Sequence, residues 1–238
     1  DIGGAWRPQN YSKKVFGPTR LRKALSLSLN LVSVRLVRAL GIDTVRAYLG
    51  RFGFDSERLP KGLSLALGSA TVTPMEIARG YASFANGGYL KKPYFIEKII
   101  DTKGRKVKLS NELMNAEVPR IIDPRNAFIM TDMLKEVINS GTAKRANRLK
   151  RSDIAGKTGT TNNLIDAWFA GYNPDIVTVT WMGYPQPKPL GKKETGSRAA
   201  LPIWIDYMES ILEDYPIKML VEPEGILPLK VKEIDGTL

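Results

Sequence analysis

The chain has 238 residues, enough for one sizeable hydrophobic core, and its 43% hydrophobic and 25% charged residues are typical of a folded globular protein. It contains neither cysteine nor histidine, which excludes disulfides, thiolate catalysis, the usual zinc sites and a Ser-His-Asp triad. The net charge of +12 would suit nucleic acid or an anionic envelope surface, but the cations are spread along the chain without an RNA-binding or zinc-finger pattern. We therefore expect no nucleic-acid partner, no metal and no organic cofactor.

The first 88 residues are predicted to be mainly helical. Residues 1–17 are rich in Gly, Pro, Asn and Lys, which is typical of a loop, and Trp6 and Tyr11 would pin it to the domain. After Gly17-Pro18, apolar residues at helical spacing predict one helix and then a second, which ends at Gly41.

Asn30 has two interpretations. It is suited to be the N-cap of the second helix. If the chain instead leaves helical geometry there, Ser28 and Asn30 would present their side chains together. Ser28-Leu29-Asn30 is the only Ser-x-Asn in the sequence.

Two further helices complete this part of the chain. Asp43 is predicted to cap the first of them. Thr73-Pro74-Met75-Glu76 is a capping box with proline at the first helical position, so a helix should begin there. The small, apolar stretch between them, Leu63–Val72, is predicted to be buried packing.

The pattern changes at Tyr89. Two strands are predicted over Tyr94–Asp101 and Lys106–Leu109, and Asp123-Pro124 should begin a long helix. The basic run Lys144–Arg151 favours a solvated face.

Three strands are predicted next, over Ile154–Thr160, Ala167–Tyr172 and Ile176–Tyr184, the last two as a hairpin. An amphipathic helix is expected over Leu201–Leu212, and the Pro-rich tail from Tyr215 should lie on the surface.

The strand that contains Gly156, Lys157, Thr158, Gly159 and Thr160 is a candidate binding edge. Glycines let another backbone approach closely, the lysine supplies a compact cation, and threonine hydroxyls can hold a carboxylate. Such an edge can bind a peptide as an added strand. Lys-Thr-Gly alone is also compatible with an ordinary strand end and a glycine turn.

Ser28-Leu29-Asn30 followed by Lys157-Thr158-Gly159 resembles the second and third signatures of the penicillin-recognising serine acyltransferases. The sequences around them, from Gly17 to Leu25, Leu65 to Gly88 and Gly156 to Tyr172, are similar to class A penicillin-binding proteins. The resemblance implies an α+β fold, an antiparallel sheet flanked by helices with a mainly helical lobe. It also implies a transpeptidase that cross-links peptidoglycan stem peptides through a serine acyl-enzyme and is a target of β-lactam antibiotics.

The resemblance also assigns roles to single residues. Ser28 would relay protons to the leaving amine, Asn30 would bind the substrate amide, and Lys157 would support the charge and proton traffic at Ser28. Thr158 and Thr160 would hold the terminal carboxylate, and Gly159 between them would belong to the same substrate-binding strand. The Thr160 backbone N–H would be one of two oxyanion donors.

The first signature of the family, Ser-x-x-Lys, does not occur in the sequence, so no nucleophile is assigned. We expect residues 1–218 to be the C-terminal part of a transpeptidase domain, with a helical lobe at 1–88, a sheet lobe at 89–218 and a tail at 219–238. An upstream segment with Ser-x-x-Lys, and a membrane anchor outside this chain, are expected partners. They would place the enzyme at the outer face of the cytoplasmic membrane.

Two other functions are compatible with the same residues. A β-lactamase of this fold commonly uses a Glu-x-x-Leu-Asn loop, and the sequence has no such string. A catalytically inactive recognition module would explain the missing nucleophile, but Ser28, Asn30 and Lys157 would then have no reason to be present together.

Overall fold

In a computed structural model, the described residues are 6–107 and 118–232, and they form an α+β fold. In chain order, these residues form four helices, a small two-stranded ribbon, a long helix, a three-stranded sheet and a final helix. No helix in these two ranges is long and apolar enough to cross a membrane.

Four helices precede the ribbon. They are α1 (Leu21–Ser26), α2 (Asn30–Leu40), α3 (Ile42–Arg51) and α4 (Pro74–Ala85). The predicted capping box at the start of α4 is confirmed, because the Glu76 N–H donates to Thr73 Oγ1 at 3.2 Å and the Thr73 N–H donates to Glu76 Oε2 at 2.7 Å. The hydrogen bond from the Thr73 backbone lowers the pKa of Glu76.

Several local predictions in this region are wrong. The N-cap of α3 is Gly41, and Asp43 lies inside its first turn. The side chains meant to pin the first loop are exposed, Trp6 by 50% and Tyr11 by 77%. Within the Leu63–Val72 stretch only Leu65 is buried. Each of these predictions depended on residue type alone, which does not fix tertiary contacts.

Of the two strands predicted around residue 103, the first is much shorter than expected, and the second is strand over both of its described residues. They are β1 (Ile99–Ile100) and β2 (Lys106–Val107), an antiparallel ribbon with exposed side chains. The predicted end of the second strand, 108–109, lies outside the described residues. Helix α5 (Pro124–Asn139) begins as predicted, with Asp123 accepting a hydrogen bond from the Arg125 N–H.

The main sheet confirms the three predicted strands to within two residues at either end. It consists of β3 (Ala155–Thr160), β4 (Ala167–Tyr172) and β5 (Val177–Met182), in that order and antiparallel throughout. Helix α6 (Leu201–Ile211) follows a single π turn. The core lies between this sheet, α5 and α6, where the rings of Phe169 and Trp204 meet edge to face at 4.9 Å.

The basic run at 144–151 is only partly a solvated face. Arg151 is largely buried and donates to Asp153 Oδ2 at 2.7 Å and to the carbonyl oxygen of Tyr215 at 2.8 Å. The Lys218 N–H also donates to Asp153, at 3.1 Å. Arg151 and Asp153 therefore hold the first residues of the C-terminal tail against the domain, and the rest of the described tail is mostly exposed, as predicted.

Candidate active site

Strand β3 carries the Lys-Thr-Gly sequence along one edge of the described sheet. Lys157 faces Ala170 of β4, Thr158 faces Phe169 and Gly159 faces Trp168. Helix α5 packs against β3, and α1 packs against α5. This stacking brings the turn after α1 to the same edge, although it lies 129 residues away along the chain.

Ser28 occupies the turn that ends α1. The N–H of Leu29 donates to the Ala24 carbonyl at 2.9 Å and the N–H of Ser28 donates to the Leu25 carbonyl at 3.1 Å, which is the hydrogen-bond pattern of a Schellman motif. Ser28 has φ +55°, in the left-handed region that such a turn usually gives to glycine. A serine at this position costs backbone strain, and such strain is characteristic of functional sites.

The turn places Ser28 against Lys157. Lys157 Nζ donates to Ser28 Oγ at 2.9 Å and to the carbonyl oxygen of Thr158 at 3.0 Å. Burial lowers the pKa of Lys157 to about 8, and no carboxylate in the described residues forms an ion pair with it. The lysine is thus cationic at neutral pH and within reach of deprotonation at moderately alkaline pH.

Asn30 is not the N-cap of α2, because it is the first residue of the helix and Leu29 precedes it in the capping position. Its Nδ2 donates to the Gln9 carbonyl oxygen at 2.8 Å. The capping contact comes instead from Asn10, whose Oδ1 accepts the Leu31 N–H at 3.1 Å. Asn10 could not be predicted as this cap, since a cap supplied from about twenty residues upstream has no local signal in the sequence.

The two threonines of β3 differ in their surroundings. Thr158 is half-buried, and its Oγ1 lies 2.7 Å from Thr142 Oγ1. Thr160 is exposed, and its Oγ1 accepts the Gly196 N–H at 3.0 Å, which leaves its hydroxyl hydrogen free to donate. Thr142 and Gly196 were not singled out from the sequence, because neither belongs to a recognisable short motif.

Close backbone packing explains the glycines of this edge. A Cβ at Gly159 would lie 3.0 Å from the Cβ of Trp168, and one at Gly156 would lie 2.7 Å from the Ala170 carbonyl oxygen. A Cβ at Gly196 would collide with the Gly159 carbonyl oxygen. Gly196 therefore lets the loop before α6 lie directly against the Lys-Thr-Gly strand, and Gly159 leaves room for Trp168 on the neighbouring strand.

A groove of about 740 Å³ opens beside these residues. Its polar wall includes Lys157, Thr158, Thr160, Thr161 and Asp166, and its apolar wall comes from α4, the segment before it and the sheet. The apolar wall includes Leu65, Leu67, Tyr81, Trp168 and Trp181. A cation and hydroxyls on one side of an apolar groove are suited to an extended ligand with an anionic group.

Comparison with known proteins identifies the family to which this arrangement belongs. The family model described as the penicillin binding protein transpeptidase domain matches residues 2–209. The chain belongs to this family. The resemblance inferred from Ser28-x-Asn30 and Lys157-Thr158-Gly159 is therefore confirmed.

The curated relatives of this transpeptidase-family chain are much longer proteins. Penicillin-binding protein 1A of Pseudomonas aeruginosa is 42% identical over 277 aligned positions, which cover 97% of this chain and 34% of the relative. Penicillin-binding protein 1A of Neisseria lactamica is 43% identical over 226 positions, covering 94% of this chain and 28% of the relative. The chain thus spans about a third of the length of these relatives.

Solved structures agree with the fold. The crystal structure of penicillin-binding protein 1A from Haemophilus influenzae has a TM-score of 0.91 at 35% identity, covering 99% of this chain and 41% of that one. The PonA1 protein from Mycobacterium tuberculosis, solved in complex with penicillin V, has a TM-score of 0.74 at 21% identity, covering 96% of this chain and 63% of that one. The second comparison supports the fold alone.

Proposed function

We propose that the chain contributes the proton-relay and carboxylate-binding groups of a peptidoglycan DD-transpeptidase. A serine attacks the carbonyl carbon of the D-Ala-D-Ala bond of a stem peptide, D-Ala leaves, and an amine of a neighbouring stem resolves the acyl-enzyme. The 2.9 Å hydrogen bond from Lys157 Nζ to Ser28 Oγ carries this proposal. In a chain without histidine, protons must be moved by lysine, serine, tyrosine or carboxylate side chains, and here a lysine and a serine are in direct contact.

Ser28 and Lys157 act together in this scheme. Ser28 Oγ accepts a hydrogen bond from the ammonium and can pass its own hydrogen to the departing amine of D-Ala. The positive charge of Lys157 stabilises the serine oxygen and attracts the substrate carboxylate. The Thr160 backbone N–H is one of two donors to the oxyanion that develops on the attacked carbonyl.

The remaining groups orient the substrate. The hydroxyls of Thr158 and Thr160 donate to the terminal carboxylate, and Gly159 allows the peptide to approach the strand. The amide nitrogen of Asn30 is engaged by Gln9, so its Oδ1 is the end that accepts the substrate amide N–H. β-Lactams carry a carboxylate at the position where the peptide ends, and they would bind through the same contacts.

The nucleophilic serine is proposed to come from a Ser-x-x-Lys segment outside residues 1–238. Residues 1–218 are proposed as the C-terminal part of the domain, with lobes at 1–88 and 89–218. A membrane anchor elsewhere in the full-length protein would hold the enzyme at the outer face of the cytoplasmic membrane, beside its peptidoglycan substrate.

The proposal is tested by labelling the full-length protein with a fluorescent penicillin. We expect Lys157→Ala to slow acylation by at least about 100-fold, since a lost general acid–base group typically costs 10²–10⁴ in rate. Lys135→Ala is the matched control. Lys135 is also a half-buried lysine with a pKa lowered by burial, but it lies in a separate cavity on α5.

Each outcome of the labelling has a distinct meaning. A transpeptidase is supported if the wild type is stably labelled and if labelling is slowed in Lys157→Ala but not in Lys135→Ala. A label that is rapidly lost indicates a β-lactamase, and no label indicates a recognition module. Equal labelling of Lys157→Ala and wild type contradicts the role of Lys157.

A further inference from the structure

Thr142 lies in the turn after α5 and contacts both segments of the candidate active site. Its backbone N–H donates to the Ser26 carbonyl oxygen at 3.1 Å, two residues before Ser28. Its Oγ1 lies 2.7 Å from Thr158 Oγ1. Thr142 therefore ties the Ser28 turn to the Lys-Thr-Gly strand, although it belongs to neither motif.

The turn that presents Thr142 is held firmly. A Cβ at Gly141 would collide with the Ser26 carbonyl oxygen, so this backbone packs directly against the end of α1. The Ala143 N–H donates to the Val137 carbonyl at 3.0 Å, and Asn147 Nδ2 donates to the last carbonyl groups of α5. The Thr142 hydroxyl is thus delivered to Thr158 by fixed backbone.

The direction of the Thr142–Thr158 hydrogen bond matters for binding an anion. Each hydroxyl has one hydrogen to donate, and a carboxylate only accepts. If Thr158 donated to Thr142, it would turn only lone pairs toward a carboxylate. If Thr142 donates, the Thr158 hydrogen is free for the anion. A chain of hydroxyls that ends on a negative charge is also mutually polarised in this direction.

We propose that Thr142 is a positioning residue that donates to Thr158 Oγ1 and thereby commits the Thr158 hydroxyl to the carboxylate of the substrate or antibiotic. This inference rests on the proposed function, in which Thr158 binds that carboxylate. Thr142 does not touch the ligand. Thr142 makes the Thr158 hydroxyl a hydrogen-bond donor. Thr142 therefore affects only ligands that carry a negative charge next to Thr158.

The test compares acylation of the full-length protein by benzylpenicillin and by benzylpenicillin methyl ester. Thr142→Val keeps the shape of the side chain and removes the hydroxyl, whereas Thr142→Ser keeps the hydroxyl. We expect Thr142→Val to lower the acylation rate constant about fivefold to tenfold for the acid and by less than about twofold for the ester, because hydrogen bonds to charged groups are the stronger ones. In Thr142→Ser, the ratio of the acylation rate for the acid to that for the ester should return to the wild-type value. Thr142→Ala serves instead if the valine variant does not fold.

Thr158→Val separates this inference from the proposed function. If both valine variants lower the acid-to-ester ratio, and the double variant is no worse than Thr158→Val, the relay is supported. If only Thr158→Val lowers the ratio, the relay is overturned and the proposed function stands. If Thr142→Val slows both probes equally, Thr142 has only a structural role and the inference is overturned. If Thr158→Val leaves the ratio unchanged, the carboxylate assignment and the inference fail together.

Discussion

Ser28 combines a strained backbone with a side chain that contacts Lys157. At φ +55° an L-residue costs roughly 1–2 kcal/mol relative to an ordinary conformation, and glycine does not. The hydroxyl of Ser28 is nevertheless the group that Lys157 contacts. In the proposed function, the position therefore gives up some folding stability in order to place a hydroxyl beside Lys157.

The strain at Ser28 predicts that Ser28→Gly is more stable than Ser28→Ala, although both variants lose acylation. We expect Ser28→Gly to melt about 3 °C above Ser28→Ala, since glycine relieves about 1 kcal/mol of strain that alanine retains. Both variants should lose acylation by β-lactams to a similar extent, because both lack the hydroxyl. Thermal unfolding of the full-length variants, followed by fluorescence, measures the first effect. An alanine variant at least as stable as the glycine variant would show that the turn is not strained.

The lowered pKa of Lys157 predicts that the rate of acylation depends on pH. Burial lowers its pKa to about 8, so the ammonium loses its proton as the pH rises through that value. The protonated form donates to Ser28 and attracts the carboxylate, and the acylation rate should therefore fall above about pH 8. In Lys157→Arg the side chain remains cationic, and the decline should move to higher pH or disappear. A wild-type rate that does not fall up to pH 9.5, measured with benzylpenicillin, would contradict this assignment.

At the scale of single elements, the sequence predicts a helix or strand where its signals lie within the element itself. The capping box at Thr73 and the Asp123-Pro124 pair satisfy backbone groups within their own helices, so residue type and spacing are enough to place α4 and α5. The short link after Tyr172 likewise indicates that β4 and β5 form a hairpin. The cap of α2 was not predictable in this way, because Asn10 reaches the helix from a distant loop.

The residues of the candidate site also fall into those that a local motif predicts and those that only the tertiary fold brings together. Ser28 and Lys157 were predicted to meet from their motifs, and the 2.9 Å contact agrees with that prediction. Thr142 and Gly196 act through contacts with Thr158 and Thr160 that only the packing of α5 and of the loop before α6 creates. The short motifs identify the residues of the proposed site, whereas the residues that contact them, Thr142 and Gly196, lie in other parts of the sequence and have no motif of their own.

At the scale of the whole molecule, one edge of the sheet has no strand partner among the described residues. Among the described residues, β5 pairs only with β4, and it is the last strand in the order β3-β4-β5. The stretch Ile176–Tyr184 contains no charged residue and no proline, and Trp181 is 42% exposed. Natural edge strands usually carry charges, prolines or a covering segment, because a free apolar edge invites aggregation.

We therefore expect a strand from outside residues 1–238 to pair with β5 in the full-length protein. Hydrogen exchange should then protect the backbone amides of 176–184 on both sides of the strand, about as well as those of β4. Residues 1–238 expressed alone should aggregate or unfold without cooperativity, and co-expression with the segment that carries Ser-x-x-Lys should restore a soluble complex. A soluble monomer of residues 1–238 that unfolds cooperatively would show that β5 needs no partner, and the source of the nucleophile would then have to be sought in some other arrangement of the protein.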